Sequence, residues 1–147
     1  MHTIVKKLSI LLVEDNLEHA KLIQLILSRK NVRAQVVVAR DGVEAMSFLS
    51  GSTVSSPHKK SLRPDIILLD LNMPRTDGRD VLRQVKSNQY LKDVPVVVVS
   101  TSDKEADRIS SAHVGAVAYI SKSVGFDALS EMLSRVTELT HFKKTSR

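Results

Sequence analysis

Short aliphatic runs and amphipathic stretches alternate along this chain. The runs are "LSILLVED", which ends at Glu14–Asp15, "AQVVVA" (34–39), "DIILLD" (65–70), "VPVVVVS" (94–100) and "AVAYIS" (116–121). Each is of strand length and most are rich in Val or Ile. Their apolar positions are nearly continuous rather than alternating, the pattern of strands buried on both faces of a parallel sheet. The stretches between them carry helix signals. "NLEHAKLIQLILSRK" opens on Asn16, a suitable N-cap, and closes on Arg29–Lys30, where cations suit a helix C-terminus. "SDKEADRISSAH" opens on Ser102 with Glu105 three residues on, which predicts a capping box. "GFDALSEMLSRVTELT" sets Phe126, Leu129, Met132, Leu133 and Val136 on one stripe at helical spacing. About five strands alternating with about five helices predict a doubly wound α/β fold, a five-stranded parallel sheet with helices on both faces.

A chain of 147 residues with 42% hydrophobic content suits one domain with a real core. Residues 50–64, "SGSTVSSPHKKSLRP", read as an exposed loop between the second helix and the third strand, not as a domain boundary. The expected organisation is therefore a single domain over 1–147, with its core at about 8–139. A short basic tail at 140–147 would follow, with no output domain.

Composition removes several classes of function. With no cysteine, disulfides, thiolate metal sites and thiol nucleophiles are all excluded. No apolar run reaches the length of a membrane span and no signal peptide is evident, so a cytoplasmic protein is expected. The net charge of +6 favours polyanions in a non-specific way. Aromatic content is only 3%, however, which leaves little for stacking on single strands, and the basic residues are scattered. A solvated basic surface explains the charge better than a nucleic-acid partner does.

The candidate chemistry lies at the strand ends. In a doubly wound sheet the carboxyl ends of the strands line up along one edge, where ligands bind. Strand one ends in Glu14 and Asp15, strand three in Asp70, strand four in Ser100, and strand five just before Lys122. Clustered carboxylates repel unless a cation sits among them, and an oxygen-only set suits Mg²⁺. Asp15, Asp70 and a backbone carbonyl at Asn72 would hold such an ion while leaving positions open. Asp70 would then serve as a nucleophile toward phosphorus, forming an acyl phosphate. Lys122 would neutralise the phosphoryl oxygens, and Ser100 would hydrogen-bond one of them.

The stretches "LLVEDN", "IILLDLNMPRTDG", "PVVVVSTSD" and "GAVAYISK" resemble the receiver domains of two-component response regulators, over residues 8–139. Within that family the chain looks most like the small single-domain response regulators of cyanobacterial phytochromes. The resemblance implies a phosphoprotein rather than an enzyme, phosphorylated on Asp70 by a sensor histidine kinase of phytochrome type. It further implies Mg²⁺ bound by Glu14, Asp15, Asp70 and the backbone at Asn72, with Ser100 and Lys122 contacting the phosphoryl group. Tyr119 would be the aromatic that turns inward with Ser100 in the switch. A homodimer through the fourth helix, fifth strand and fifth helix, and a downstream protein of unknown identity, complete the expectation.

Two departures from the family pattern stand out. The lysine is usually followed by a proline with a cis bond, but Ser123 follows Lys122, and a non-proline cis bond costs about 2.5–4 kcal/mol. The first acid is Glu14 rather than the commoner Asp. A haloacid-dehalogenase-type phosphatase is the rival with an aspartyl phosphate. It requires an acid two residues after the nucleophile, where Asn72 stands.

Overall fold

The computed structural model describes residues 7–29, 34–50, 63–73 and 77–145. Most of the loop expected at 50–64, and Pro74 in the turn after Asp70, lie outside the described residues. The order is β1 (Leu8–Val13), α1 (Leu17–Ser28), β2 (Ala34–Ala39), α2 (Gly42–Ser50), β3 (Ile66–Leu69), α3 (Gly78–Ser87), β4 (Val96–Ser100), α4 (Glu105–Val114), β5 (Ala118–Ser121) and α5 (Phe126–Thr145), with a 3₁₀ turn at Lys122–Val124. All strand pairings are parallel and the order is β2-β1-β3-β4-β5, the doubly wound sheet expected.

Strand periodicity divides the core between the two faces. Leu11, Val13, Ile67, Leu69, Val96 and Val98 pack with Leu49 of α2 and with Val81, Leu82 and Val85 of α3. Ile10, Leu12, Ile66, Leu68, Val97 and Val99 pack on the other side with Ala20, Ile23, Ile26 and Leu27 of α1, and with Leu129 and Leu133 of α5. The three central strands are buried almost throughout, whereas β2 and β5 at the sheet edges are half-exposed along much of their length. A strand whose two faces are both covered has no use for alternation, which accounts for the continuous aliphatic runs.

Two local expectations are corrected. Ser102 forms no capping box: α4 begins after Lys104 with no side-chain cap. The Ser102 hydroxyl is already committed, donating to Asp107 Oδ2 at 2.5 Å and accepting from the Lys104 N–H at 3.2 Å. On α5 Leu129, Leu133 and Thr137 are buried and Val136 packs beside the two leucines, while Phe126 and Met132 of the expected stripe are exposed. Helix α5 itself runs on through the polar residues from Thr140 to Thr145. The Asn16 cap is present, its Oδ1 accepting from the His19 N–H at 3.0 Å.

Of α4, only Ser111 is buried. The helix is tied to α3 by the Arg79–Asp107 ion pair. It ends at Gly115, whose φ of 126° lies in a region that L side chains rarely adopt.

The turn after β3 leaves no room for a side chain at its far end. Asp77 caps α3 through the Arg79 N–H at 2.9 Å, and the Gly78 N–H bonds the Leu71 carbonyl at 3.0 Å. A Cβ on Gly78 would lie 2.4 Å from the Asp70 carbonyl oxygen and 2.6 Å from Leu71 Cα. Gly78→Ala is therefore expected to destabilise the fold by about 1–3 kcal/mol, as other overpacked sites do. Urea unfolding measures this, and a variant as stable as the parent would contradict the close approach.

Candidate functional site

The sheet delivers its acids to one edge through backbone pairing that continues past the strands. The Glu14 N–H bonds the Ala39 carbonyl at 2.9 Å, and the Asp70 N–H bonds the Val13 carbonyl at 3.0 Å. Glu14 and Asp70 are consequently almost fully buried while Asp15 is half-exposed. Carboxylate oxygens of Glu14, Asp15 and Asp70 lie within 4.8 Å of one another. Three hard oxygen donors at this separation fit a divalent cation of the Mg²⁺, Mn²⁺ or Ca²⁺ type.

Lys122 reaches the same edge from the 3₁₀ turn after β5. Its ammonium pairs with Glu14 and lies 3.4 Å from Asp70 Oδ2, with the side chain only 7% exposed. A third neighbour, His19 Nδ1 on the first turn of α1, lies 3.1 Å from Nζ. An ammonium has three donors and no acceptor, so His19 accepts through Nδ1. Burial pushes the Glu14 carboxyl up to about 7, with Lys122 pulling it down and Asp70 adding to the rise. No cis peptide bond occurs among the described residues, so the Lys122–Ser123 bond is trans.

Asp70 Oδ1 accepts the Asn72 N–H at 3.1 Å. The Asn72 side chain donates from Nδ2 to Ser100 Oγ at 3.2 Å. Ser100 is completely buried and its hydroxyl oxygen also accepts the Ser102 N–H at 3.2 Å. Tyr119 donates its hydroxyl to the Ser102 carbonyl at 2.8 Å, and the Arg108 guanidinium lies over its ring at 5.0 Å. Ser102 thus touches Ser100, Tyr119 and Asp107 at once. The Asp107 carboxyl is held below its usual range, foremost by the Ser102 hydroxyl, with Arg79 adding to the effect against burial.

Glu14, Asp15, Asp70, Asn72, Ser100 and Lys122 thus gather at one edge of the sheet, with Tyr119 one hydrogen bond beyond Ser102. Sequence reasoning missed His19 and Ser102. The signal for His19 was its place one turn into α1, three residues beyond a cap that adjoins the acid pair. Ser102 was misread because its capping motif fits a helix start as well as it fits this connection.

The response regulator receiver domain family model matches residues 10–134, and the chain belongs to that family of signalling proteins. Among its relatives is response regulator Rcp1 of Synechocystis sp., 39% identical over 127 residues that cover 86% of this chain and 84% of the relative. The probable methanogenesis regulatory protein FilR2 of Methanothrix harundinacea is 37% identical, covering 88% and 81%. The phosphorylated cyanobacterial phytochrome response regulator RcpA matches this fold with a TM-score of 0.79 at 41% identity, over 90% of this chain and 93% of that one. The Mn²⁺-bound form of Rcp1 gives 0.76 at 39% identity, over 87% and 90%. The fold and family expected from the sequence are therefore met. No helix among the described residues is long and apolar enough to cross a membrane.

Binding of a divalent cation to the acid cluster would stabilise the folded state by mass action, by about 2.7 kcal/mol at a hundred times the dissociation constant. Saturating Mn²⁺ or Mg²⁺ is expected to raise the thermal midpoint by several degrees, and Asp15→Asn to remove most of that rise. An equal rise in the variant would argue against the cluster as the binding site.

Proposed function

We propose that this receiver domain accepts a phosphoryl group on Asp70 from a sensor histidine kinase. Mg²⁺ would be held by Glu14, Asp15, Asp70 and the Asn72 backbone carbonyl. The observation that carries this reading is the setting of Asp70. It closes the central strand beside two further acids, with a buried ammonium at 3.4 Å and a buried hydroxyl one side chain away. In the transfer an Asp70 carboxylate oxygen forms a bond to phosphorus as the bond from phosphorus to the kinase imidazole nitrogen breaks, and the imidazole leaves as the neutral ring, keeping the proton already on its other nitrogen. The cation supplies positive charge for the phosphoryl oxygens when bound. Lys122 supports the transfer by neutralising charge and Ser100 by donating to a phosphoryl oxygen.

The group adds about −1.5 to −2 charges to the site, which shifts the balance between two states that hold it unequally. Ser100 reaches the new oxygens by releasing Asn72 Nδ2 and the Ser102 N–H. That frees the connection whose carbonyl holds the Tyr119 hydroxyl. Tyr119 then turns inward, and the surface of α4, β5 and α5 carries the signal to a downstream protein. A phytochrome-type kinase is the favoured donor because RcpA, at 41% identity, is a phytochrome response regulator. The protein would act in the cytoplasm, beside such a kinase. The phosphatase alternative lacks its second acid, since Asn72 instead holds Ser100 through its amide.

Asp70→Asn is expected to abolish labelling by acetyl phosphate, and excess EDTA to reduce labelling of the parent to background. Undiminished labelling of the variant would overturn the assignment of Asp70. Ile109, Val117 and Met132 are exposed apolar residues on or beside α4, β5 and α5, and they support a homodimer through that face. Sedimentation velocity is expected to show a dimer whose population changes on phosphorylation. A monomer at every concentration, phosphorylated or not, would remove that part of the reading.

A further inference from the structure

The backbone on either side of Lys122 is held by a single carboxylate. The Ser121 hydroxyl donates to Asp103 Oδ1 at 2.5 Å. The Ser123 hydroxyl reaches Asp103 Oδ1 and Oδ2 at 2.8 and 2.9 Å. Within the turn, the Ser123 N–H donates to Ser121 Oγ at 3.2 Å. The two hydroxyl oxygens also lie 2.7 Å apart, so the pair can share one hydrogen between them, and what it donates outward goes to Asp103, which can only accept. Asp103 stands in the β4–α4 connection, three residues after Ser100 and next to Ser102. It therefore ties the segment bearing Lys122 to the segment bearing Ser102.

Lysine is a compact charge on a flexible four-carbon stem, so the aim of its ammonium depends on where its backbone is fixed. Lys122 leaves a short 3₁₀ turn, and Ser123 has no ring to fix its own φ. We propose that Asp103 is a positioning residue for Lys122: by accepting from Ser121 and Ser123 it sets the backbone from which the ammonium reaches Asp70. Hydroxyl contacts to the carboxylate have charge-assisted character, and one of the two donors, Ser121, is buried. The Asp103 carboxyl accordingly sits below its usual range, foremost through Ser121 and then Ser123.

The proposal rests on the reading of Asp70 as phosphoacceptor, and its test uses the full chain as Asp103→Ala, Asp103→Asn, Ser123→Ala and Lys122→Ala. Labelling by acetyl phosphate is followed together with Mg²⁺ affinity by calorimetry. The Lys122 ε-carbon resonance, identified by its loss in Lys122→Ala, is followed in ¹³C-lysine protein. Small misplacements of a reacting group cost up to about 10²-fold in rate, and loosening one is expected to cost about tenfold. Asp103→Ala should therefore label about tenfold more slowly and Ser123→Ala should fall between it and the parent. Mg²⁺ affinity should be unchanged and the Lys122 resonance should move toward the position of a freely rotating lysine. Asp103→Asn, which keeps a carbonyl acceptor, should recover most of the rate. The proposal is overturned if Asp103→Ala labels at the parental rate with the resonance unmoved, if Asp103→Asn is as slow as Asp103→Ala, or if Mg²⁺ affinity falls in step with labelling. A parent protein that takes no label defeats the reading of Asp70 instead, and the resonance then decides the role of Asp103.

Discussion

Two buried carboxylates share one buried ammonium at the end of an otherwise apolar sheet, and the other features of the site are arranged around that balance. Glu14 and Asp70 are carried to this position by strands with nearly every side chain buried. Nothing in those strands offsets negative charge, and isolated ions are costly to bury. Lys122 supplies the counter-charge from a different loop, and each of its three ammonium hydrogens has an acceptor in Glu14, Asp70 or His19. Among the described residues no buried side-chain nitrogen or oxygen lacks a partner. Such a set is compatible with folding and still responsive to a charged newcomer, because every bond within it is an exchangeable polar one.

The same exchangeability gives the site its reach. Ser100 is bonded to Asn72 on the Asp70 side and to Ser102 on the other, and Ser102 is bonded onward to Tyr119 and Asp107. Asp107 joins Arg79 at the start of α3. A change at Ser100 thus meets a connected set of hydrogen bonds spanning β3, β4, α4 and β5, without passing through the packed core. The apolar clusters on either side of the sheet serve as the fixed frame.

Much of this was legible in the sequence, and what was illegible has a common cause. Runs such as "IILL" and "VVVVS" identify central strands because burial on both faces removes polar positions, and strand ends then locate Asp70 and Ser100. The acids, the hydroxyl and the lysine could be placed at one edge because fold topology alone puts them there. What could not be read were interactions between loops. The hydrogen bonds from Ser121 and Ser123 to Asp103, and the approach of His19 to Lys122, join residues up to 103 positions apart. Periodicity carries no record of them. Phe126 and Met132 were misjudged for a related reason: helical spacing gives the direction of a stripe, whereas the width of the sheet beneath α5 sets how much of it is covered.

The attachment of α4 carries a consequence for the landscape of the molecule. With Ser111 its one buried side chain, Val114 packed at the margin of the core, no side-chain cap at its start and an ion pair to α3, this helix is held largely by contacts that water can replace at little cost. Segments of that kind open at free energies well below that of global unfolding. The protein therefore has uneven stiffness: a sheet that resists deformation, flanked by one compliant helix next to its most charged pocket. A small amount of work done at the pocket is spent where resistance is lowest. Repositioning α4 thus disturbs the hydrophobic interior only at its margin, where Val114 packs, while the sheet and the helices beneath it stay in place.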